Sequence, residues 1–479
     1  MQAIQAVKES YLYHLCATLA AWFGKQWRRS AIVTWMSTQR SDRAWAENSI
    51  FYRVFLALHR AIAWLFEKLR LDKLLTGSVF RLTAFWAGLT IVLTPLLPTM
   101  ASLILVLASF GSLLLNFGCD RSRRLVHFPI NKFIYLYTFI YAFAILTSVN
   151  RGGSLYVGMI SIVFTLFFIV LTNGVTNWKQ VRGICRLSVL MGVAVSLYGL
   201  YQYAYSQNYI SVWTDTTLFT TFDFRVYSTF ANPNVLGEYF LLVLPLSAAL
   251  VLTAKSWKGR VFWLGCGGVT MLCLLLTYSR GCYLGILFAI ALFLVLLDRR
   301  FILLGIVGLF LAPMVLPASI MERFLSIGNM ADTSTSYRWN IYMSSLAMLK
   351  DYWFSGVGPG IEAFKQVYPA YAYDEAVAQH AHNLFLQLTS DIGIFGTLAF
   401  CLAILSFYRS AFTALWGEKD FETRVFIITG VSAISGFMVQ SMTDHTFYNY
   451  RVMLLFWATL GLSLLFTRAR RLKGAEAHG

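Results

Sequence analysis

A few side chains stand out because each falls at the rim of, or inside, an otherwise apolar run. Arg280 lies in Thr277-Tyr278-Ser279-Arg280-Gly281, between two apolar stretches with almost no loop. A permanent charge at that depth is costly to desolvate and calls for an anionic partner. A snorkelling arginine, or one paired with a local carboxylate, fits the same residues. Arg338 lies in Ser336-Tyr337-Arg338-Trp339-Asn340. Trp339, Tyr342, Leu346 and Leu349 then recur at helical spacing, which predicts a helix against the membrane or the loop core, with Arg338 near its start. A solvated loop arginine is the alternative. Arg225 precedes Phe230-Ala231-Asn232-Pro233-Asn234, where Asn-Pro-Asn reads as a turn opening the next helix, with Asn234 able to cap it. His382 closes a long polar stretch in His380-Ala381-His382-Asn383, directly before an apolar run that contains Asp391. An intramembrane carboxylate is a functional candidate by default. Gly393 and Gly396 follow His382 by 11 and 14 residues. Eleven residues is about three helical turns, so His382 and Gly393 share a face, and glycines there let a neighbouring helix approach. A lone histidine at a helix mouth is often only a structural hydrogen-bonder. Two arginines and a histidine on one surface suit an anionic substrate and a titratable base.

Other chemistries lack their residues. The chain has no GxxxxGK[ST], no HExxH, no CxxC and no DxD. That argues against a nucleotide-driven pump, a metal hydrolase of those classes and a metal-bound nucleotide-sugar site. Gly356-Val357-Gly358-Pro359-Gly360 has the look of a phosphate-binding loop, but no strand precedes it and Pro359 removes an amide donor. A tight turn is the expectation. The seven cysteines lie mostly in or beside apolar runs, as buried thiols do.

The elements that must position these groups follow from composition. Of 479 residues 58% are hydrophobic and 13% charged, and mean hydropathy is +0.63. Soluble domains carry roughly 25% charged residues, so the chain reads as an all-α polytopic membrane protein. The net charge of +17 fits basic cytoplasmic loops, and no nucleic-acid partner is expected. Runs long enough to cross a bilayer fall at Val79–Pro98, Thr99–Gly118, Phe133–Val149, Ser154–Leu171, Leu187–Tyr205 and Val235–Thr253. The second half adds Val261–Tyr278, Cys282–Leu297, Phe301–Ile320, Leu384–Tyr408, Val425–Met442 and Val452–Thr467, about 12 transmembrane helices in all. With the N-terminus inside, the inner segments hold 19 Lys and Arg against 8 in the outer ones. That asymmetry puts both termini in the cytoplasm and leaves 321–383 as a long extracytoplasmic loop between helices 9 and 10. No repeat of helix pairs supports an inverted-repeat transporter.

Three segments follow: 1–78, 79–468 and a basic cytoplasmic tail at 469–479. Segment 1–78 is basic and amphipathic. Tyr11–Phe23 reads as an interfacial helix. Phe55, Leu58, Ile62, Leu65 and Leu69 form one helical face beyond it. That helix either lies on the anionic leaflet or packs on the membrane domain.

The motifs together, in this order, resemble the O-antigen ligase and polymerase superfamily of the Wzy C-terminal type. Its signature of His, Asn/Ser/Gln, nine residues, Gly, two residues and Gly/Thr/Tyr matches His382-Asn383, Gly393 and Gly396. Ser279-Arg280-Gly281, Asn232-Pro233-Asn234, Arg338-Trp339 and Gly356 to Gly360 resemble it too, over roughly 80–468. Thr220 to Glu238, the Ser-Arg-Gly and Arg338 to Gly360 are similar to a branch labelled bicarbonate transporters.

The resemblance implies a glycosyltransferase in the cytoplasmic membrane. It would move a glycan from a polyprenyl-diphosphate carrier to an acceptor hydroxyl (on a glycan, lipid or protein) at the outer face, with no metal, nucleotide or other cofactor. Arg280 and Arg338 would bind the diphosphate. His382 would be the general base or orient the acceptor. Arg225, Asn232, Asn383, His380 and Asp391 would support them, and Gly393 and Gly396 would serve helix packing. The other reading is a bicarbonate or other anion transporter, for which Asp391 and Glu238 are among the few intramembrane charges.

Overall fold

A computed structural model describes residues 50–205, 224–301, 317–326 and 333–477, with a few isolated positions besides. Among the described residues the chain is helical with connecting turns and has no strand. It is a multi-pass membrane protein. Eight of the described helices are long and apolar enough to cross a bilayer, or nine if the last pair, bent by 75°, counts as one span.

The helices used below are α1 (Ile50–Lys68), α2 (Thr83–Leu93), α3 (Thr99–Cys119), α4 (Asn131–Thr147), α5 (Arg151–Gly174) and α6 (Trp178–Tyr205). They continue with α7 (Pro233–Thr253), α8 (Trp257–Leu275), α9 (Arg280–Leu297), α10 (Ala318–Leu325), α11 (Thr333–Tyr352) and α12 (Ile361–Val367). The chain closes with α13 (Leu384–Gly417), α14 (Phe421–Ser441), α15 (Tyr450–Phe466) and α16 (Ala469–Ala477).

Eleven of the twelve expected spans coincide with these helices. The ninth, Phe301–Ile320, lies mostly outside the described residues, as does the Tyr11–Phe23 segment. Two expected spans are short: α2 has 11 residues and α4 has 17. A break at Thr94–Pro98 ends α2 early, where Pro95 and Pro98 remove backbone donors.

α7, α14 and α15 are the most enclosed helices, so their apolar residues face other helices rather than lipid. α9 and α14 cross at Gly285 and Gly436. A Cβ on Gly285 would lie 2.6 Å from the Gly436 carbonyl, and one on Gly436 would lie 2.7 Å from that of Gly285. Small residues permit such an approach, and the crossing fixes the start of α9 against the turn after α14.

α1 packs on the membrane domain. His59 Nε2 lies 2.8 Å from the Phe117 carbonyl, and Gly118 makes room for the Phe66 ring. Tyr52, His59 and Ala63 are buried, whereas Leu58, Ile62, Leu65 and Leu69 are exposed. Four of the five stripe residues therefore stay on the outside, while Phe55 packs on Phe117 and a second face docks.

The described part of the 321–383 segment is folded. α11 and α12 with their neighbours enclose a small core of Ile341, Met348, Val357, Phe364, Tyr368 and Ala381. Trp339 and Leu346 point outward. This cap is bonded to the top of α13: Val357 N–H donates to the Ser390 carbonyl, Gly358 N–H to that of Asp391, and Ile394 N–H to that of Trp353. Gly393 makes the last contact possible. It interrupts α13 at φ 70° and ψ 175°, and a Cβ there would land on the Phe354 carbonyl. The close approach is thus by a loop, not by the neighbouring helix expected from the sequence. At Gly396 a Cβ would first meet Ile392 of its own helix. Gly393→Ala combines a left-handed φ with a backbone clash, so a loss on the order of 4 kcal/mol is expected. Gly111→Ala, whose Cβ meets nothing within 4 Å, is the matched control. Monodisperse protein after a heating series distinguishes the two.

Candidate active site

The turn between α14 and α15 supplies a carboxylate that several of the chosen residues meet. Asp444 Oδ1 lies 3.1 Å from His382 Nδ1. Its Oδ2 lies 3.5 Å from an Arg338 terminal nitrogen and accepts from Asn234 Nδ2 at 3.1 Å. Arg338 also donates to the Thr443 carbonyl at 2.9 Å. His382 and Arg338, 44 positions apart in sequence, therefore share one carboxylate.

Local structure aims each group. Asn383 caps α13 by accepting from Phe385 and Leu386 N–H, and donates to the Met442 carbonyl at 2.8 Å. That bond ties the α13 cap to the Asp444 turn. His382 itself has φ 46°, a left-handed conformation that histidine tolerates better than most residues. Tyr342 Oη donates to its carbonyl at 3.0 Å. Ser228, Ala231 and Tyr278 also have positive φ, so backbone strain gathers on the loops at this end, as it does at functional sites.

Asn232 and Asn234 exchange the roles read from sequence. Asn232 caps α7, accepting from Asn234 and Val235 N–H. Asn234 instead bridges Asp444 and Arg225, accepting from an Arg225 terminal nitrogen at 2.9 Å. Arg225 is buried and also donates to the Thr277 carbonyl. Through Asn234 it orients Asp444 from behind.

Arg280 starts α9 and donates to the carbonyl and hydroxyl of Ser326, beyond α10. Its neighbour Gly281 is packed directly against Gln440 and Thr443. The Arg280 backbone is thus beside the Asp444 turn, while its side chain reaches toward Ser326.

Asp391 stands apart from this group. It accepts from Gln387 Nε2 at 2.8 Å and lines a small cavity of about 40 Å³ together with His380, His445, Tyr137 and Tyr141. His445 Nδ1 has no hydrogen-bond partner among the described residues. The glycine loop has its amides engaged by α13, and Gly358 presses on Ser148. It is a turn that holds the cap, as expected.

The electrostatics follow from these contacts. Burial pushes the Asp444 carboxyl up, but the Arg338 guanidinium and the His382 hydrogen bond hold it well below the usual carboxylate range. An ionised Asp444 must accept, so the bonded His382 Nδ1 carries a proton, and Nε2 is the lone-pair nitrogen of the ring in its neutral form. His380 is held down to about 4, by burial first and then by His382. Its Nδ1 correspondingly accepts from the His382 N–H at 3.3 Å. His380, His382 and Asp444 offer ligand atoms within 4.8 Å of one another, a spacing a metal ion could use. The Arg338 guanidinium on the same carboxylate opposes a second cation there.

An unfolded histidine protonates near 6.5, and the folded His380 resists until about 4. Between those values the unfolded chain binds the extra proton, so stability falls as pH drops through that window. His380→Gln is expected to flatten the decline in Tm between pH 7.5 and 5. An unchanged slope removes His380 from that role.

Asp444 was not singled out by the sequence, and Asn234 was read only as a helix cap. The available signal was Thr443-Asp444-His445, a charged turn facing the same side as His382 between two apolar runs. Tyr342 appeared only as part of a helical stripe.

No curated protein matches the chain. A family match covers 261–401, narrower than the 80–468 expected. It includes Arg280, Arg338, His382, Gly393 and Gly396, leaves out Asn232, Asn234 and Asp444, and gives no support to the bicarbonate-transporter branch. Over residues 261–401 the chain is similar to the family described as O-antigen ligase.

Proposed function

We propose that the protein is a glycosyltransferase of the cytoplasmic membrane with both termini inside. It moves a sugar or oligosaccharide from a polyprenyl-diphosphate carrier to an acceptor hydroxyl at the outer face. The observation that carries this reading is the shared carboxylate: Asp444 bonded at once to His382 and Arg338.

His382 Nε2 takes the acceptor proton as the acceptor oxygen bonds to the anomeric carbon. The bond from that carbon to the diphosphate oxygen breaks, and the polyprenyl diphosphate leaves with the electron pair. Arg338 and Arg280 receive the charge that develops on it. A guanidinium about 4 Å away contributes on the order of 4 kcal/mol at an effective dielectric of 20, before desolvation. Arginine also forks onto two phosphate oxygens, which lysine cannot.

The test is transfer from a polyprenyl-diphosphate glycan by the full chain in nanodiscs. Arg280→Lys is expected to lower transfer about tenfold, the scale of one lost charge-assisted hydrogen bond. Full activity in Arg280→Lys removes the forked contact. EDTA is expected to leave transfer unchanged. A loss restored by Mg²⁺ or Mn²⁺ would assign His380, His382 and Asp444 to a cation instead. Bicarbonate flux in proteoliposomes without any transfer would overturn the reading. In a deletion strain, accumulated single lipid-linked repeats would indicate a polymerase, and long lipid-linked chains a ligase.

A further inference from the structure

A second cavity lies at the end of the bundle away from His382. The far end of α2 belongs to the His382 side, because the Pro95 carbonyl there accepts from Thr229 and Arg451. The near end of α2 opens instead onto a groove of about 550 Å³ between α2, α3 and α6, within the size range of small-molecule sites. Its mouth carries Arg81 and Arg123 together with Asn116 and Gln180. Its walls are apolar, formed by Ala84, Phe85, Leu89, Val92, Ile184 and Leu187.

The charges are not neutralised by a direct ion pair. Arg81 donates to Asn116 Oδ1 and Arg123 to the Asn173 carbonyl, and neither makes an ion pair among the described residues. Of the nearby carboxylates, Asp120 bonds to Ser122 and Glu67 pairs with Arg121. Burial lowers the pKa of Arg123, Asp120 opposes that, and Arg81 adds a smaller lowering, so the two cations also feel each other across the mouth. α2 has 11 residues, a rise of about 16 Å. It is too short to cross a hydrocarbon core of about 30 Å, so the groove beside it lies within one leaflet.

We propose that this groove binds an anionic phospholipid of that leaflet, its phosphate between Arg81 and Arg123 and an acyl chain along the α2–α6 wall. A phosphate answers the two guanidiniums with charge-assisted hydrogen bonds. The chain covers apolar wall that no described residue fills. The site is independent of the proposed transfer chemistry.

Native mass spectrometry of the full chain in detergent provides the test, with dioleoylphosphatidylglycerol, dioleoylphosphatidylcholine and inorganic phosphate added separately. Phosphatidylglycerol is expected to bind as one retained copy, about tenfold tighter than phosphatidylcholine. Arg81→Ala with Arg123→Ala is expected to remove that preference. Gly183→Leu tests the wall without touching either charge. A Cβ on Gly183 meets nothing within 4 Å, so leucine fits the open groove and displaces the lipid. Equal binding of the two lipids overturns the proposal, and it is also the result if residues 1–49 fill the groove. Phosphate competing as well as phosphatidylglycerol overturns it in favour of an ion site. Retention of the preference in folded Gly183→Leu overturns it as well.

Discussion

His382→Asn is expected to lower glycan transfer by about 10²–10⁴-fold, the usual contribution of a positioned general base, while insertion and folding are preserved. Asparagine is the informative replacement because it tolerates the φ of 46° that position 382 adopts. It can still donate to Asp444, so the carboxylate is not stranded. The Tyr342 bond to the 382 carbonyl involves backbone and survives the change. What asparagine lacks is a basic nitrogen at the Nε2 position. Initial transfer rates on nanodisc-embedded protein, beside its elution profile and Tm, separate chemistry from folding. Transfer within threefold of wild type, with unchanged Tm, would remove His382 from the base role.

Asp444→Asn should damage both chemistry and stability. The carboxylate accepts from His382, Arg338 and Asn234 together, and its side chain is 11% exposed. Replacing one oxygen by an amide nitrogen turns an acceptor into a donor facing donors. His382 then loses the partner that fixes its tautomer, a change that cost about 10⁴-fold in the serine-protease triad. Arg338 loses its anion, and breaking a buried pair destabilises by about 3–5 kcal/mol. The expected result is transfer lowered on the order of 10³-fold with a measurably lower Tm. Asp444→Glu should recover stability before activity, because its longer arm satisfies Arg338 but moves His382. Wild-type rates in Asp444→Asn would show the turn to be a fold element alone.

The sequence placed most of the bundle correctly because hydrophobic runs encode burial directly, and α3 and α5 to α9 fall where their apolar stretches lie. It overextended α2, since an apolar run beyond a proline looks continuous to composition but not to backbone hydrogen bonding. It brought His382 and Arg338 to one surface but not to Asp444. A carboxylate in a short turn has no periodic signal, and its role arises from the α9–α14 crossing, whose Gly285 lies 159 residues upstream, and from the end of α14. Asn232 and Asn234 exchanged roles for a similar reason: either can cap a helix locally, and only the tertiary position of Asp444 recruits the second. Gly393 was legible as a special position, but its left-handed backbone was not, because the regular helix period predicts no break there.

The seam at Gly393 also sets where this protein can be rebuilt. Residues 333–392 hang together as one block, held by their own small core and by the Val357–Ser390 and Gly358–Asp391 bonds, with Ser148 and Ser154 as the socket beneath. A graft spliced ahead of α11 and at Gly393 would exchange this block, imidazole included, and join the rest of α13 where its helix is already interrupted. A shorter insert ending inside 353–358 would sever the stitches that keep that face registered to the bilayer.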